Sequence, residues 1–405
     1  VLRFEDAGVS VKAERLRAGR ETTAELSFST DIDGHVKREK LNLLSGQMHS
    51  RLAKALTERV DGRDWYAIIE NTTLALTDIA RMGEPVVPLI DVAPQTTTRW
   101  AVNPLVVSGD ANVIYGPGDS GKSLLGILIA ILVSTGQETD LGMEVVEPGN
   151  VLYMDWETNN VEIASRTSLI TAGMGMSMPA NLYYRYMSAP LADDVEAVQN
   201  IIAEYGVSLV VIDSMGPAIA GDTSRDEPIN EFFNALRGLR VTTLIIDHIN
   251  KEGGQYGSIY KYNRARNVWR VRPSEESRVD GIARMGLYHE KFNNGRRVAA
   301  PLGISFAFDT ESGMIMPQRT AAMDDPELGQ FVSTRLRIRQ AMRAQGPQFV
   351  AALAEELGIK ENTTLRALQR NAEFEQIPPP DRRWHLRGET DTVPSVNGTQ
   401  HADPF

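Results

Sequence analysis

Residues 116–123 read Gly-Pro-Gly-Asp-Ser-Gly-Lys-Ser, between the apolar run Val113-Ile114-Tyr115 and the apolar, helix-length stretch Leu124–Val133. No other feature restricts the fold as much. A strand that turns through glycines into a helix aims several main-chain N–H groups at one point, the positive end of the helix dipole, and this suits a phosphate. The pattern is G-x-x-x-x-G-K-[ST], and its parts divide the work. Gly116, Gly118 and Gly121 let the backbone close around phosphate, with Asp119, Ser120 and Leu124 completing the cradle. Lys122 neutralises the terminal oxygens, and the Ser123 hydroxyl reaches a Mg2+ ion. Glycine-rich turns match this pattern by chance elsewhere; the strand before and the helix after argue against chance here.

Further strands should accompany such a loop. Apolar runs at Asn112–Tyr115, Val151–Asp155, Leu182–Met187, Leu209–Asp213 and Thr243–Asp247 alternate with helix-length segments. That alternation predicts an α/β core over residues 105–320, with a mainly parallel sheet covered on both faces. The strand ends then carry the chemistry. Asp213 closes Leu209-Val210-Val211-Ile212 and is placed to hold the water shell of a metal. Glu157, just past Val151–Asp155, is placed to orient water for in-line attack, with Asp155 as the alternative base. His248 and Lys251, after Leu244-Ile245-Ile246-Asp247, are placed to sense or neutralise phosphate, although a histidine there also serves as a plain cap.

With these elements in order, the stretch from Leu105 to Phe308 resembles the RecA-like ATPases of the RepA-type replicative helicase group, which include phage and plasmid AAA-family ATPases. The matching residues are Gly116–Ser123, Tyr153-Met154-Asp155-Trp156-Glu157, Asp213, Asp247-His248-Ile249-Asn250-Lys251, Gly257-Ser258-Ile259-Tyr260 and Arg264-Ala265-Arg266-Asn267-Val268-Trp269. The resemblance implies a homo-oligomeric ring, usually a hexamer, with ATP and Mg2+ at subunit interfaces and single-stranded DNA through the centre. It makes Glu157 the catalytic glutamate, His248 the phosphate sensor and Arg266 the arginine finger for a neighbour's site, with Arg264 competing for that role. The chain departs from the group in lacking a long primase or loader-binding domain, so contacts with other replication proteins do not carry over directly.

The flanks read differently. Val9–Leu16 and Thr22–Thr30 alternate around Ala18-Gly19-Arg20 as a hairpin does, and helices are expected over Gln47–Arg59 and Arg63–Met82. Residues 1–82 therefore form a small α+β region, and the proline-rich stretch 83–104 a linker. Helices over Ser333–Ala344, Gln348–Leu357 and Asn362–Arg370, with a hairpin over Phe374–Leu386, suggest a C-terminal winged helix-turn-helix at 333–388. Thr363, Thr364 and Arg366 would stand on its recognition helix. Residues 389–405 read as a flexible tail.

Charge enters once DNA is in question. The 405-residue chain carries −11 overall, which argues against indiscriminate coating of nucleic acid. Yet Gln255–Arg297 holds ten basic residues against four acidic, and Ser333–Gly388 ten against six. Tyr256, Tyr260, Tyr262, Trp269 and Tyr288 are interleaved with the first basic stretch, a pattern that can track a phosphate backbone and stack bases, or simply pack a core. The loops Gly216–Glu227 and Lys251–Gly257 are the expected pore-lining segments. With no cysteine, disulfide and thiolate chemistry are excluded. The longest apolar run is too short for a membrane span and Val1–Arg20 has no signal-peptide core, so a cytoplasmic protein is expected, bacterial or encoded by a phage or plasmid. Two rival classes remain at this stage: an ATP-switch DNA-binding regulator, and a recombination-mediator ATPase that separates no strands.

Overall fold

The computed structural model describes residues 1–17, 21–82, 86–249, 260–274, 281–309, 311–323 and 325–388. It begins with an antiparallel sheet in chain order: β1 (Leu2–Phe4), β2 (Val9–Arg17), β3 (Thr23–Thr30) and β4 (Gly34–Asn42). Alternation builds it: Ala24, Leu26 and Phe28 of β3 are buried while Glu25 and Ser27 look outward. Helices α1 (Gly46–Thr57) and α2 (Trp65–Met82) close the buried face, with Leu52, Leu56, Trp65, Ile68, Ile69 and Leu76 in one core with the strands. Ser45 caps α1 by accepting the Met48 N–H. The alternation around residues 18–20 is that of β2 and β3; the turn itself lies outside the described residues. Strand β4 escapes a sequence reading because only Val36 and Leu41 of its nine residues are buried.

The stretch expected as a linker is shorter than 83–104. Residues 83–85 lie outside the described residues, and Trp100–Asn103 forms β5, which pairs with β6 (Val106–Val107) and with β8 (Glu144–Val145) beside the main sheet. The main sheet then builds through β7 (Ala111–Gly116), α3 (Lys122–Thr135), β9 (Asn150–Asp155), α4 (Asn160–Gly173), β10 (Leu182–Tyr186), α5 (Leu191–Tyr205) and β11 (Val207–Asp213). It continues through α6 (Met215–Ala218), α7 (Asp226–Leu239), β12 (Thr242–His248), α8 (Tyr260–Arg264) and β13 (Asn267–Pro273). Three further strands, β14 (Ile282–Phe292), β15 (Leu302–Phe308) and β16 (Ile315–Thr320), complete nine in the order β10-β9-β11-β12-β7-β13-β14-β15-β16. The first six run parallel and the last three antiparallel.

This is a mixed α/β fold with a large, mostly parallel sheet. The reason is visible in β11, where Leu209 to Ile212 are all fully buried. Leu209 and Val211 join α3 on one face; Val210 and Ile212 join α5 and α7 on the other. α3 packs so closely that a Cβ on Gly126 would stand 2.7 Å from Ile246 Cδ1. The antiparallel flank β14–β16 was not among the expected strands.

After α9 (Pro326–Gly329), helices α10 (Thr334–Gln345), α11 (Val350–Glu356) and α12 (Glu361–Arg370) enclose Ile338, Met342, Leu353 and Leu368. Strands β17 (Phe374–Gln376) and β18 (Trp384–Leu386) pair antiparallel, and Gln348 bridges to Trp384. Thr364 is fully buried and its hydroxyl donates to the Lys360 carbonyl, which removes it from the exposed face of α12. The expected tail, 389–405, lies outside the described residues. Among the described residues no helix is long and apolar enough to cross a membrane.

Candidate functional site

β7 brings the chain to the loop and α3 takes it away. Gly116 closes β7 where a Cβ would lie 2.6 Å from the Val271 carbonyl. Gly121, the N-cap of α3, holds φ +79°, and a Cβ there would meet Met285 Cε at 2.4 Å. Gly118 faces open space, and Asp119 adopts φ +55° to complete the turn. Lys122 is buried; its ammonium donates to the Pro117 carbonyl and, at 3.3 Å, to the Ser120 hydroxyl. That burial lowers the Lys122 amine to about 8, against the opposing pull of Asp213, Asp247, Glu157 and Asp119.

Asp213 ends β11, nearly buried. The Tyr153 hydroxyl donates to it at 2.6 Å, and the Ser123 hydroxyl bonds it as well. Burial raises this carboxyl, while the two hydroxyls work in the other direction. A hydroxyl beside a carboxylate is a donor set that fits Mg2+. Among the described residues no cluster of three His, Cys, Asp or Glu side chains forms a cage, so an ion here takes the rest of its shell from water and phosphate.

The loop after β9 presents Glu157, and Asp155 fixes that loop. The Asp155 carboxylate accepts the N–H groups of Glu157 and Thr158 at 2.8 and 3.1 Å, the Thr158 hydroxyl, and the Tyr184 hydroxyl at 3.1 Å. Bound in this way and buried, Asp155 is a turn-former, which corrects its reading as an alternative base. Glu157 is half exposed; it accepts the Ser214 hydroxyl at 2.5 Å and lies 3.6 Å from His248 Nε2. The His248 contact, with Ser214 behind it and against partial burial, holds the Glu157 carboxyl below its ordinary range. His248 ends β12 in register with Gly116, which sets its ring at the mouth of the loop. Asn250, Lys251 and Gly257–Ile259 of the expected sensor segment, with the whole Lys251–Gly257 loop, lie outside the described residues.

One cleft of about 470 Å³ gathers the loop residues from Asp119 to Leu124 with Glu157, Asp213 and His248. Sequence reasoning missed Arg166 of α4, which lines the same cleft and pairs with Glu162, and the walls Ala283, Phe308 and Ile315 from the antiparallel flank. It also missed Lys261, fully buried, whose ammonium meets both Asp247 oxygens at 3.1 and 3.2 Å.

Arg266 stands elsewhere. Its N–H bonds the carbonyl of Ala111, at the start of β7, and its guanidinium is exposed, 3.9 Å from Asp110. Five strand steps of about 3.3 Å put it roughly 17 Å from its own phosphate loop. It lines a larger cavity of about 730 Å³ with Arg99, Asp110, Glu147 and Arg240. Arg264 instead donates to Asn230 of α7 at 2.6 Å. The aromatic stretch packs inward: Trp269 is fully buried and stacked on His289, Tyr262 donates to the Glu290 carbonyl, and Tyr288 to that of Leu328. Trp269 is thereby a core residue, while Tyr262 and Tyr288 are half-buried with their hydroxyls bonded to main-chain carbonyls. Tyr256 and the Tyr260 side chain lie outside the described residues.

Residues 81–254 match the family described as an AAA domain. No curated protein matches the chain. Among solved structures, a KaiC-like protein from the hyperthermophilic archaeon Pyrococcus horikoshii OT3 is similar over 54% of this chain and 93% of its own, at 12% identity and a TM-score of 0.39. The phosphate loop, the mostly parallel sheet and the family match agree on a P-loop nucleotide-binding core.

Proposed function

We propose that the chain is an ATP-dependent, ring-forming DNA helicase or translocase, a homo-oligomer and most simply a hexamer, that hydrolyses Mg-ATP at subunit interfaces and moves on single-stranded DNA. The observation that carries this reading is the split of charged groups across one sheet. Lys122, Asp213, Glu157 and His248 share the cleft, while Arg266 stands exposed about 17 Å away at the other end of the strands. A finger that serves a neighbour's cleft has to be remote from its own.

Within the cleft, the loop N–H groups and Lys122 hold the β- and γ-phosphates, and Ser123 with Asp213 holds Mg2+ and its water shell. The ion, when bound, neutralises charge on the phosphate oxygens. Glu157 takes the proton of the attacking water, His248 contacts the γ-phosphate, and Arg266 of a neighbouring copy meets the charge that develops during transfer. Three helices, the Gln348 bridge and the β17–β18 hairpin support a winged helix-turn-helix for 333–388, with Thr363 and Arg366 exposed on α12. Residues 1–82 would then be an accessory region and 389–405 a tail, with other replication proteins as further partners.

Turnover measured with and without single-stranded DNA, beside the mass of the assembly with nucleotide, tests the reading. Stimulation in an oligomer is expected; a monomer indifferent to DNA would contradict it. The placement of exposed arginines on α12 favours a second reading, an ATP-switch regulator, and protection of one duplex site without strand separation would select it.

A further inference from the structure

Ser214 occupies the N-cap of α6, with φ −122° and ψ 172°. A serine in this position ordinarily turns its hydroxyl onto the N–H groups of the first helical turn. This one makes no cap bond. It is fully buried, and its hydroxyl donates instead to Oε1 of Glu157 at 2.5 Å, across 57 positions of sequence. His248 Nε2 approaches the same oxygen at 3.6 Å. Both contacts fall on Oε1, no hydrogen bond to Oε2 is found among the described residues, and Glu157 lines the cleft.

We propose that Ser214 is a positioning residue for Glu157, pinning Oε1 so that Oε2 addresses the attacking water. The proposal rests on the reading of Glu157 as the base. In the step it serves, the water oxygen bonds the γ-phosphorus as the bond to the β–γ bridging oxygen breaks, the water proton passes to Oε2, and ADP and phosphate leave. Ser214 keeps its own proton throughout. Its main chain is continuous with Asp213 on one side and α6 on the other, so the carboxylate of the base is held by the residue next to the one that would hold Mg2+.

The experiment compares Ser214→Ala with Ser214→Thr, each checked for thermal unfolding and for affinity toward a non-hydrolysable ATP analogue by calorimetry. Expected for Ser214→Ala are a kcat about ten- to a hundredfold lower, a KM for ATP and an analogue affinity within about twofold of the parent, and recovery to within about threefold in Ser214→Thr. In a Glu157→Gln background, Ser214→Ala should change the single-turnover rate by less than about twofold, because its effect runs through the lost carboxylate. Parental kcat in Ser214→Ala, a threonine variant no better than alanine, or losses that multiply in the double variant would each overturn the proposal. Full turnover by Glu157→Gln would overturn the base reading beneath it, and is distinguishable because it needs no change at Ser214.

Discussion

Lys122 is buried beside Asp213, Asp247 and Glu157, and its lowered affinity for protons has a measurable consequence. Near pH 8 about half of the amine is neutral; an arriving triphosphate restores its charge, so binding should take up about half a proton there. Calorimetry of ATP-analogue binding in buffers of different ionisation heat measures that uptake, and apparent affinity should weaken as pH rises through 8. Lys122→Ala should abolish turnover, as read by phosphate release. The residues visible in sequence, Lys122, Ser123, Glu157, Asp213 and His248, all follow an apolar strand or open a helix in a recognisable order. Ser214 and Tyr153 were illegible because each acts through a partner brought close only by the pairing of β9 with β11, and Lys261 because its partner on β12 is met only once α8 has packed.

Among the elements, the ion pair of Asp247 on β12 with Lys261 on α8 is sealed from water. Two buried charges offset their desolvation only together, so Lys261→Met should cost about 3–5 kcal/mol in urea unfolding, and joining it to Asp247→Leu should recover most of that loss. The parallel strands were legible because burial on both faces makes a continuous apolar run, as in Leu209–Ile212. The flank β14–β16 was not. Its strands mix charged and apolar residues, as in Ile282-Ala283-Arg284-Met285, of which only Met285 is buried, so no continuous apolar run marks them. On α12, exposed Arg366 should set part of any DNA affinity; Arg366→Ala should lower binding and reduce the slope of log affinity against log salt by about one, read by anisotropy.

For the whole molecule, net charge proved the wrong scale. The chain carries −11, yet Arg266 stands exposed at the far end of the sheet and Arg366 and Arg370 stand exposed on α12. An assembly can therefore place a basic group against a neighbour's phosphate cleft while most of its surface stays acidic. The proposed division of labour between Lys122 and Arg266 yields the most direct test. Lys122→Ala and Arg266→Ala are each expected to be inactive, the second still binding ATP. Mixed after dissociation and reassembled, they should regain a measurable fraction of parental ATPase activity, since some interfaces then join an intact cleft to an intact Arg266. Full activity of Arg266→Ala alone, or no recovery in mixtures shown to co-assemble, would contradict hydrolysis at an interface shared between subunits.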